Sequence, residues 1–235
     1  MTRPDSHDRA GLAAHPPNAA PAYASTRTRA PTLPAIAIPQ GPGETSGPQF
    51  GTGDAPPTAD LTRHGGGEAL GERIIVTGRV LDETGRPVPG TLVEIWQANA
   101  AGRYVHERDQ HDAPLDPHFR GVGRVATDAQ GCYRFTTIRP GAYPWANHPN
   151  AWRPAHIHFS LFGPSFLSRL VTQMYFPGDP LLPLDPILDA VPAHARDRLV
   201  SAFDLGVTEP GRALGYRFDI VLRGPRATPA EGQAS

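Results

Sequence analysis

The amino-acid sequence predicts a mainly β protein whose core is an antiparallel β-sandwich. Several short segments rich in β-branched and other apolar residues are separated by turn sequences, whereas a single segment has the spacing of a helix. A long N-terminal stretch has neither pattern. The expected architecture is therefore a sandwich with a long extended N-terminal arm, long loops and one or two short helices.

The strand predictions follow from composition and alternation. Residues 74–81 (IIVTGRVL) are β-branched and end at the turn sequence Asp82-Glu-Thr-Gly85. Residues 123–127 and 132–138 flank Asp128-Ala-Gln-Gly131, which indicates a hairpin. The other predicted strands are residues 91–97, 157–161, 170–176 and 213–222, the last with Leu214, Tyr216, Phe218, Ile220 and Leu222 on one face.

One helix is predicted, over residues 193–203, because Ala195, Leu199 and Phe203 are spaced by four. The N-terminal 71 residues are rich in Ala, Pro, Gly and Thr without a sustained period. Alone, they could not bury enough surface to offset the entropy lost on ordering. We therefore expect an extended N-terminal arm, residues 1–71, with the first ten or so disordered, and a β-sandwich domain, residues 72–235.

Charge and composition exclude several function classes. The chain of 235 residues has a net charge of −1, whereas nucleic-acid and membrane-surface partners need a sustained basic field. A single cysteine, Cys132, excludes an internal disulfide and a multi-thiolate metal site. No long apolar run or apolar leader is present, so we expect a soluble cytoplasmic protein.

The segment from residue 140 to residue 159 has the features of a metal site. His156 and His158 are separated by one residue, so a strand there would project both imidazoles to the same side, roughly 6–7 Å apart at their Cα atoms. Neutral imidazole suits Zn, Cu, Fe and Ni, and the pair alone therefore leaves the metal open. A pair of half-buried structural histidines is the alternative interpretation.

Tyrosines are the candidate anionic ligands, because Asp and Glu are missing close to the histidine pair. Tyr143 lies nearby and Tyr104 follows the predicted strand 91–97. An unperturbed tyrosine has a pKa of about 10, so ionising one phenol at pH 7 costs about 4 kcal/mol. A trivalent ion would supply the local positive charge that two phenolates need. Either tyrosine alone could equally be a hydrogen-bonded core residue.

Several motifs, in order, resemble the intradiol ring-cleavage dioxygenases. They are WQANAAGRY, PLDPHFRGVGR, PGAYPW, RPAHIHF, QMYFPGDPLLPLDPI and YRFDIVLRG, and the likeness extends from about His15 to Arg226. The chain is most similar to the iron-bearing β subunits of the branch that acts on 3,4-dihydroxybenzoate. The resemblance implies a β-sandwich that opens this ring with O2 to give 3-carboxy-cis,cis-muconate. It also implies a homologous α subunit, which completes the substrate pocket and forms higher α-β oligomers.

The resemblance also implies the residues of the site. Non-haem Fe(III), one per chain, would be held by Tyr104, Tyr143, His156 and His158, with hydroxide as a fifth ligand. Tyr143 matches the tyrosine that leaves the metal when substrate binds. Arg153 matches a guanidinium that stabilises charge developing on the substrate, a role that suits its fixed planar cation.

Four further residues match positions that contact the substrate. Trp145, Gln173 and Ile187 correspond to the pocket lining, and Tyr23 corresponds to an arm tyrosine that helps hold the substrate carboxylate. The sequence departs from the family pattern over residues 51–68 and 191–211, where we expect altered surface or subunit contacts.

Three alternatives stay open on the sequence. The chain could act on another catechol or on hydroxyquinol, although those relatives have a helical N-terminal dimerisation region that this Pro/Ala-rich arm lacks. It could be a non-catalytic binding module, because residues 78–96 and 127–141 resemble a prealbumin-like sandwich unit. A different metal set could involve the loop histidines His106, His111, His118 and His148.

Overall fold

The computed structural model describes residues 14–17, 58–109, 111–145, 151–162 and 170–231. Within these ranges the chain forms thirteen strands, two α-helices and two 3-10 helices. The strands are β1 (Arg63–His64), β2 (Gly67–Glu68), β3 (Arg73–Leu81), β4 (Leu92–Trp96), β5 (Val122–Ala126), β6 (Cys132–Ile138), β7 (Tyr143–Trp145), β8 (Ala151–Arg153), β9 (His156–Phe162), β10 (Leu170–Tyr175), β11 (Ala202–Phe203), β12 (Leu214–Arg217) and β13 (Ile220–Val221). The helices are α1 (Pro186–Ala190) and α2 (Ala193–Arg196), with 3-10 turns at Leu182–Leu184 and Asp197–Leu199.

Two sheets enclose the core. Sheet I has the order β10-β9-β4-β5 and is antiparallel throughout. Sheet II is built around β3, which pairs with β6 on one edge and with β12 and β13 on the other, and β11 pairs with β12. Fully buried side chains of alternating positions, such as Val93 of β4 and Ile157 and Phe159 of β9, fill the space between the sheets. The predicted mainly β sandwich is confirmed.

The final predicted strand is two strands, both parallel to β3, which the sequence did not predict. At the break, the amide of Phe218 donates to Thr77 O at 2.8 Å, and the Asp219 carboxylate accepts from the amide of Arg79 at 2.9 Å. A Cβ on Gly78 would lie 1.8 Å from Phe218 O, so only glycine permits this approach. The side chain of Asp219 thus replaces a backbone partner where the pairing is interrupted.

The predicted helix over residues 193–203 is only partly correct. The structure has a single turn of α-helix in α2 and a following 3-10 turn, and residues 202–203 form β11. Ala195 and Leu199 are buried against Tyr175 as their spacing predicted, but Phe203 pairs with β12 and is 47% exposed. Pairing with the sheet edge therefore overrides helix propensity at this end.

The segment before β3 packs on the sandwich. The Thr58 amide donates to Arg124 O and the Thr136 amide donates to Ala59 O, while Leu61 lies in the core. Farther back, Ala14 is fully buried against a second cluster that contains Tyr175. The boundary near residue 71 stays a proposal, and the first ten residues lie outside the described part of the chain.

Among the residues described, no helix has the length and apolarity needed to cross a membrane. The expected cytoplasmic location stays a prediction.

Candidate metal centre

The register of sheet I aligns the two histidines with their neighbours. Since Ile157 and Phe159 point into the core, His156 and His158 project from the opposite face of β9. His158 lies between Trp96 of β4 and Gln173 of β10, its direct cross-strand partners. The predicted same-side projection of the imidazoles is thus present, on the outer face of sheet I.

Tyr104 lies in a loop, and Tyr143 is the first residue of β7, directly after a second loop that packs against the first. Asn99 organises the first loop, because its side-chain oxygen accepts from the amides of Ala101 and Arg103, both at 2.9 Å. Gly102 follows with φ +79°, and a Cβ there would lie 2.2 Å from Ala142 O. This close approach brings Tyr104 beside the loop that ends at Tyr143.

The structure brings all four predicted ligands together. His156 Nε2 lies 3.5 Å from Tyr104 Oη and 3.3 Å from Tyr143 Oη. His158 Nε2 lies 3.2 Å from Tyr104 Oη. The donor atoms of two phenols and two imidazoles therefore face one another across a few ångströms.

In each histidine, the hydrogen bond made by Nδ1 determines whether Nε2, which faces the tyrosines, can bind a cation. His156 Nδ1 lies 2.7 Å from Pro154 O, and a carbonyl can only accept, so this nitrogen carries the hydrogen and Nε2 presents its lone pair. His158 Nδ1 lies 3.0 Å from a carboxylate oxygen of Glu231, which imposes the same tautomer. Burial, and then the charge of Arg153, hold the pKa of His156 well below its ordinary value, which keeps it neutral.

The phenols need a counter-charge to ionise. Burial raises the pKa of Tyr104 well above 10, and the neighbouring Tyr143 adds to this effect. Burial also raises the pKa of Tyr143, although Arg153 opposes the increase. A hard, highly charged cation supplies the missing charge, and two phenolates with two neutral imidazoles are a chemically suitable donor set for ferric iron.

Arg153 lies beside this set in a buried hydrogen-bond network. Its guanidinium is 2% exposed and donates to both oxygens of Asp185 at 3.2 and 2.9 Å. The same group donates to Gln173 Oε1 at 2.5 Å and to Tyr175 Oη at 2.9 Å. Its Nη1 lies 3.2 Å from His156 Nε2, so the positively charged guanidinium is held close to the four metal-donor atoms.

The predicted pocket residues have different outcomes. Gln173 lies inside the Arg153 network. The ring of Trp145 lies 5.8 Å from the Arg153 guanidinium carbon. Ile187 is in α1, and its amide donates to the capping carboxylate of Asp185. Tyr23 lies outside the described residues, and its role stays a prediction.

Sequence reasoning missed four residues of the site. Trp96 stacks on His158 with ring centroids 4.8 Å apart and an interplanar angle of 6°. Tyr175 and Asp185 bond to each other at 2.7 Å and to Arg153. Period-2 alternation could have indicated Trp96 and Tyr175, which share faces with Glu94 and Gln173, but Glu231 lies in a stretch without any pattern.

The loop histidines do not assemble a competing site in the described ranges. His118 Nδ1 contacts the backbone oxygen of His64, and His111 packs against Trp152. These residues form no cluster of three or more His, Cys, Asp or Glu suited to a metal. His148 is outside those ranges.

Known proteins similar to this chain are dioxygenases. A family profile described as dioxygenase matches residues 45–224, and one described as protocatechuate 3,4-dioxygenase beta subunit N terminal matches residues 8–41. The protocatechuate 3,4-dioxygenase beta chain of Burkholderia cepacia is 64% identical over 92% of this chain and 94% of its own length. This chain belongs to the intradiol ring-cleavage dioxygenases.

Other members of the family are more distant. The protocatechuate 3,4-dioxygenase alpha chain of Burkholderia cepacia is 32% identical over 68% of this chain and 77% of its own length. The crystal structure of 3-chlorocatechol 1,2-dioxygenase from Rhodococcus opacus 1CP superimposes with a TM-score of 0.57 at 26% identity, covering 76% of this chain and 70% of that one.

An intradiol dioxygenase is an enzyme, so the interpretation as a non-catalytic module is wrong.

Proposed function

We propose that this chain is the iron-bearing β subunit of a protocatechuate 3,4-dioxygenase. It would open the ring of 3,4-dihydroxybenzoate between the two hydroxyl-bearing carbons, adding both atoms of O2 to give 3-carboxy-cis,cis-muconate. The observation that carries the proposal is the convergence of Tyr104, Tyr143, His156 and His158 with the buried Arg153 beside them. The 64% identity to a β chain of that activity supports the substrate.

The four side chains would hold one non-haem Fe(III). When bound, the ion supplies Lewis acidity that activates a catechol toward O2. The two imidazoles are neutral donors with fixed tautomers, and the two phenolates balance the positive charge.

Tyr143 is suited to accept a proton from the substrate. Its phenol oxygen lies at 3.3 Å from His156, while that of Tyr104 lies within 3.5 Å of both histidines. Tyr104 therefore has the central position and Tyr143 the peripheral one. Tyr143 Oη would take the proton of one substrate hydroxyl, so the pocket would need no further base for it.

Arg153 would stabilise negative charge on the substrate ring. The side chain is already oriented by Asp185, Gln173 and Tyr175, so it loses little freedom when the substrate binds. Trp145 and Ile187 would contribute apolar walls to the pocket.

A homologous α subunit is part of the proposal. The Burkholderia cepacia relatives comprise a beta and an alpha chain, and this chain is similar to both. Val105 and Trp152, the sequence neighbours of Tyr104 and Arg153, are 57% and 48% exposed. Apolar side chains so close to the site are suited to contact with a partner subunit.

Oxygen consumption by the iron-loaded complex tests the proposal. The chain is co-purified with its α-type partner and offered 3,4-dihydroxybenzoate, catechol and hydroxyquinol separately. We expect the highest kcat/KM for 3,4-dihydroxybenzoate and a red-brown colour from charge transfer between tyrosinate and ferric iron. A colourless protein with stoichiometric iron, or a clear preference for catechol or hydroxyquinol, would contradict the proposal.

Matched tyrosine variants locate the source of the colour. Tyr104→Phe and Tyr143→Phe should each shift the charge-transfer band. Tyr216→Phe, in β12 of sheet II, removes a phenol away from the four donors and should leave the band unchanged.

A further inference from the structure

The two histidines of the metal centre obtain their outer hydrogen bonds from very different places. The acceptor for His156 Nδ1 is the backbone oxygen of Pro154, two residues earlier in the chain. The acceptor for His158 Nδ1 is the side chain of Glu231, 73 residues later. The first partner is built into the local turn before β9, whereas the second depends on where the C-terminal segment lies.

The C-terminal strap, residues 227–231, is firmly attached to the domain. The amide and hydroxyl of Thr228 both bond to the backbone of Val221 at 2.9 Å. Arg198 donates to Ala227 O at 3.0 Å. Ala227 and Thr228 are buried, so the strap is part of the folded domain rather than an exposed tail.

The strap also runs alongside β10, the edge strand of sheet I. The Thr172 hydroxyl donates to Pro229 O at 2.7 Å, and the Glu231 amide donates to Val171 O at 2.7 Å. These bonds place the Glu231 backbone beside the strand that carries Gln173. From there its carboxylate reaches across to His158 on the neighbouring strand β9.

Glu231 supplies a constraint that the other contacts of His158 lack. Stacking on Trp96 fixes the plane of the imidazole, but a stacked ring can still flip and exchange its nitrogen positions. A carboxylate at Nδ1 distinguishes the two orientations, because it accepts the N–H and directs the Nε2 lone pair at Tyr104.

We propose that Glu231 is a positioning residue that orients His158 for metal binding through the Nδ1 hydrogen bond. The proposal rests on the proposed function, since it assumes that His158 is an iron ligand. The dioxygenase profile ends at residue 224, so Glu231 lies beyond the segment that it matches.

The N-terminal arm takes part in the same arrangement. The Ala230 amide donates to His15 Nδ1 at 2.9 Å, directly next to Glu231. Ala14 is fully buried beside Tyr175, which bonds to Arg153. Residues 14–15 therefore contact the strap on one side and the cluster around Tyr175 on the other.

Two variants of similar size separate the hydrogen bond from simple packing. Glu231→Met keeps the volume but has no strong acceptor, and it should weaken iron binding about 10- to 100-fold, the usual effect of losing such an outer partner. Glu231→Gln keeps an oxygen acceptor and should recover most of the affinity. Iron affinity is measured by equilibrium competition with a chelator, using the co-purified complex and its charge-transfer band.

Controls test whether the effect is specific. Glu209→Ala removes a glutamate from an exposed ion pair with Arg134 and should leave iron affinity unchanged. Thermal unfolding should be the same for the Met and Gln variants. If Glu231→Met fails to fold, Glu231→Ala replaces it, with the same expected loss of affinity.

The outcomes distinguish this inference from the proposed function. A wild-type complex that binds no iron overturns both. A wild-type complex that binds iron and turns over, combined with a Met or Ala variant whose iron affinity is within about 2-fold of wild type, overturns the role of Glu231 alone. Equal losses in the Met and Gln variants would also overturn it, because the acceptor would then be irrelevant.

Discussion

At the residue scale, the arrangement of the centre depends on where single hydrogens lie. Both histidines carry the hydrogen on Nδ1, and both phenols stay protonated while no cation is bound, because burial raises the pKa of Tyr104 and Tyr143. The two imidazoles can therefore bind a metal ion as they are, whereas each of the two phenols must first lose a proton. Metal binding and proton release are coupled as a result.

Iron affinity should consequently rise with pH. The phenol pKa values are above 10 without metal and fall on binding, so about two protons leave the tyrosines when iron enters. Lowering the pH from 8 to 6 opposes this release and should weaken binding. Competition against a chelator of known proton dependence measures the slope, which Tyr143→Phe should reduce by about one proton. An affinity independent of pH in the wild type would contradict the coupling.

Arg153 can be tested without removing its charge. Arg153→Lys keeps a cation but cannot reach Asp185, Gln173 and Tyr175 together as the planar guanidinium does. We expect kcat to fall about 100-fold with iron content unchanged. Arg134→Lys, in an exposed pair with Glu209, is the matched control and should retain full turnover. Turnover of Arg153→Lys within a few-fold of wild type would show that the assigned role is wrong.

At the element scale, register and loop packing align the centre. One row across β4, β9 and β10 contains Trp96, His158 and Gln173, and the next row pairs His156 with Tyr175. Tyr104 is added from outside sheet I by a loop, and Tyr143 is the first residue of β7. The loop and the residue before β7 are in contact at Gly102 and Ala142, and this contact fixes Tyr104 relative to Tyr143.

Gly102→Ala should therefore damage the centre. The φ of +79° costs an L residue about 1–2 kcal/mol, and the added Cβ would also lie 2.2 Å from Ala142 O. We expect loss of most bound iron and a lower urea midpoint. Gly211→Ala is the matched control, because its φ is +72° but a Cβ there meets nothing within 4 Å. The Gly211→Ala variant should lose only the conformational free energy of about 1–2 kcal/mol and should keep its iron. Equal iron content in the two variants would refute this function of the loop contact.

Much of this could be predicted from the sequence, for reasons visible in particular elements. Alternation and turn residues located β3, β4, β5, β6, β9 and β10 to within two residues. The His-x-His spacing gives the same-side pair directly once β9 is a strand. The break between β12 and β13 could not be predicted, because it depends on Gly78 of a distant strand. Glu231 has no local signal at all, since its partner is 73 residues away.

At the scale of the whole molecule, two segments distant from the metal ligands in sequence pack near the centre. The strap brings Glu231 to His158, and residues 14–15 of the arm contact the strap and the cluster around Tyr175. Residues 14–15 are held by these contacts with the domain rather than by a core of their own. The exposed apolar side chains of Val105 and Trp152 near the site are suited to similar contacts with a partner subunit.

Co-expression tests the need for that partner. The chain expressed alone should be poorly soluble or weakly active, because Val105 and Trp152 remain exposed without the proposed partner. Co-expression with an α-type chain should restore solubility and turnover. Size-exclusion chromatography with oxygen uptake measures both. A fully active preparation of the β-type chain alone would contradict the expectation.

The most direct test of the central claim is the position of the metal itself. A crystal of the iron-loaded complex, measured on both sides of the iron absorption edge, should show one anomalous peak in this chain. In the substrate-free state we expect this peak within bonding distance of Tyr104 Oη, Tyr143 Oη, His156 Nε2 and His158 Nε2. A fully occupied iron with either phenol oxygen outside bonding distance would contradict it.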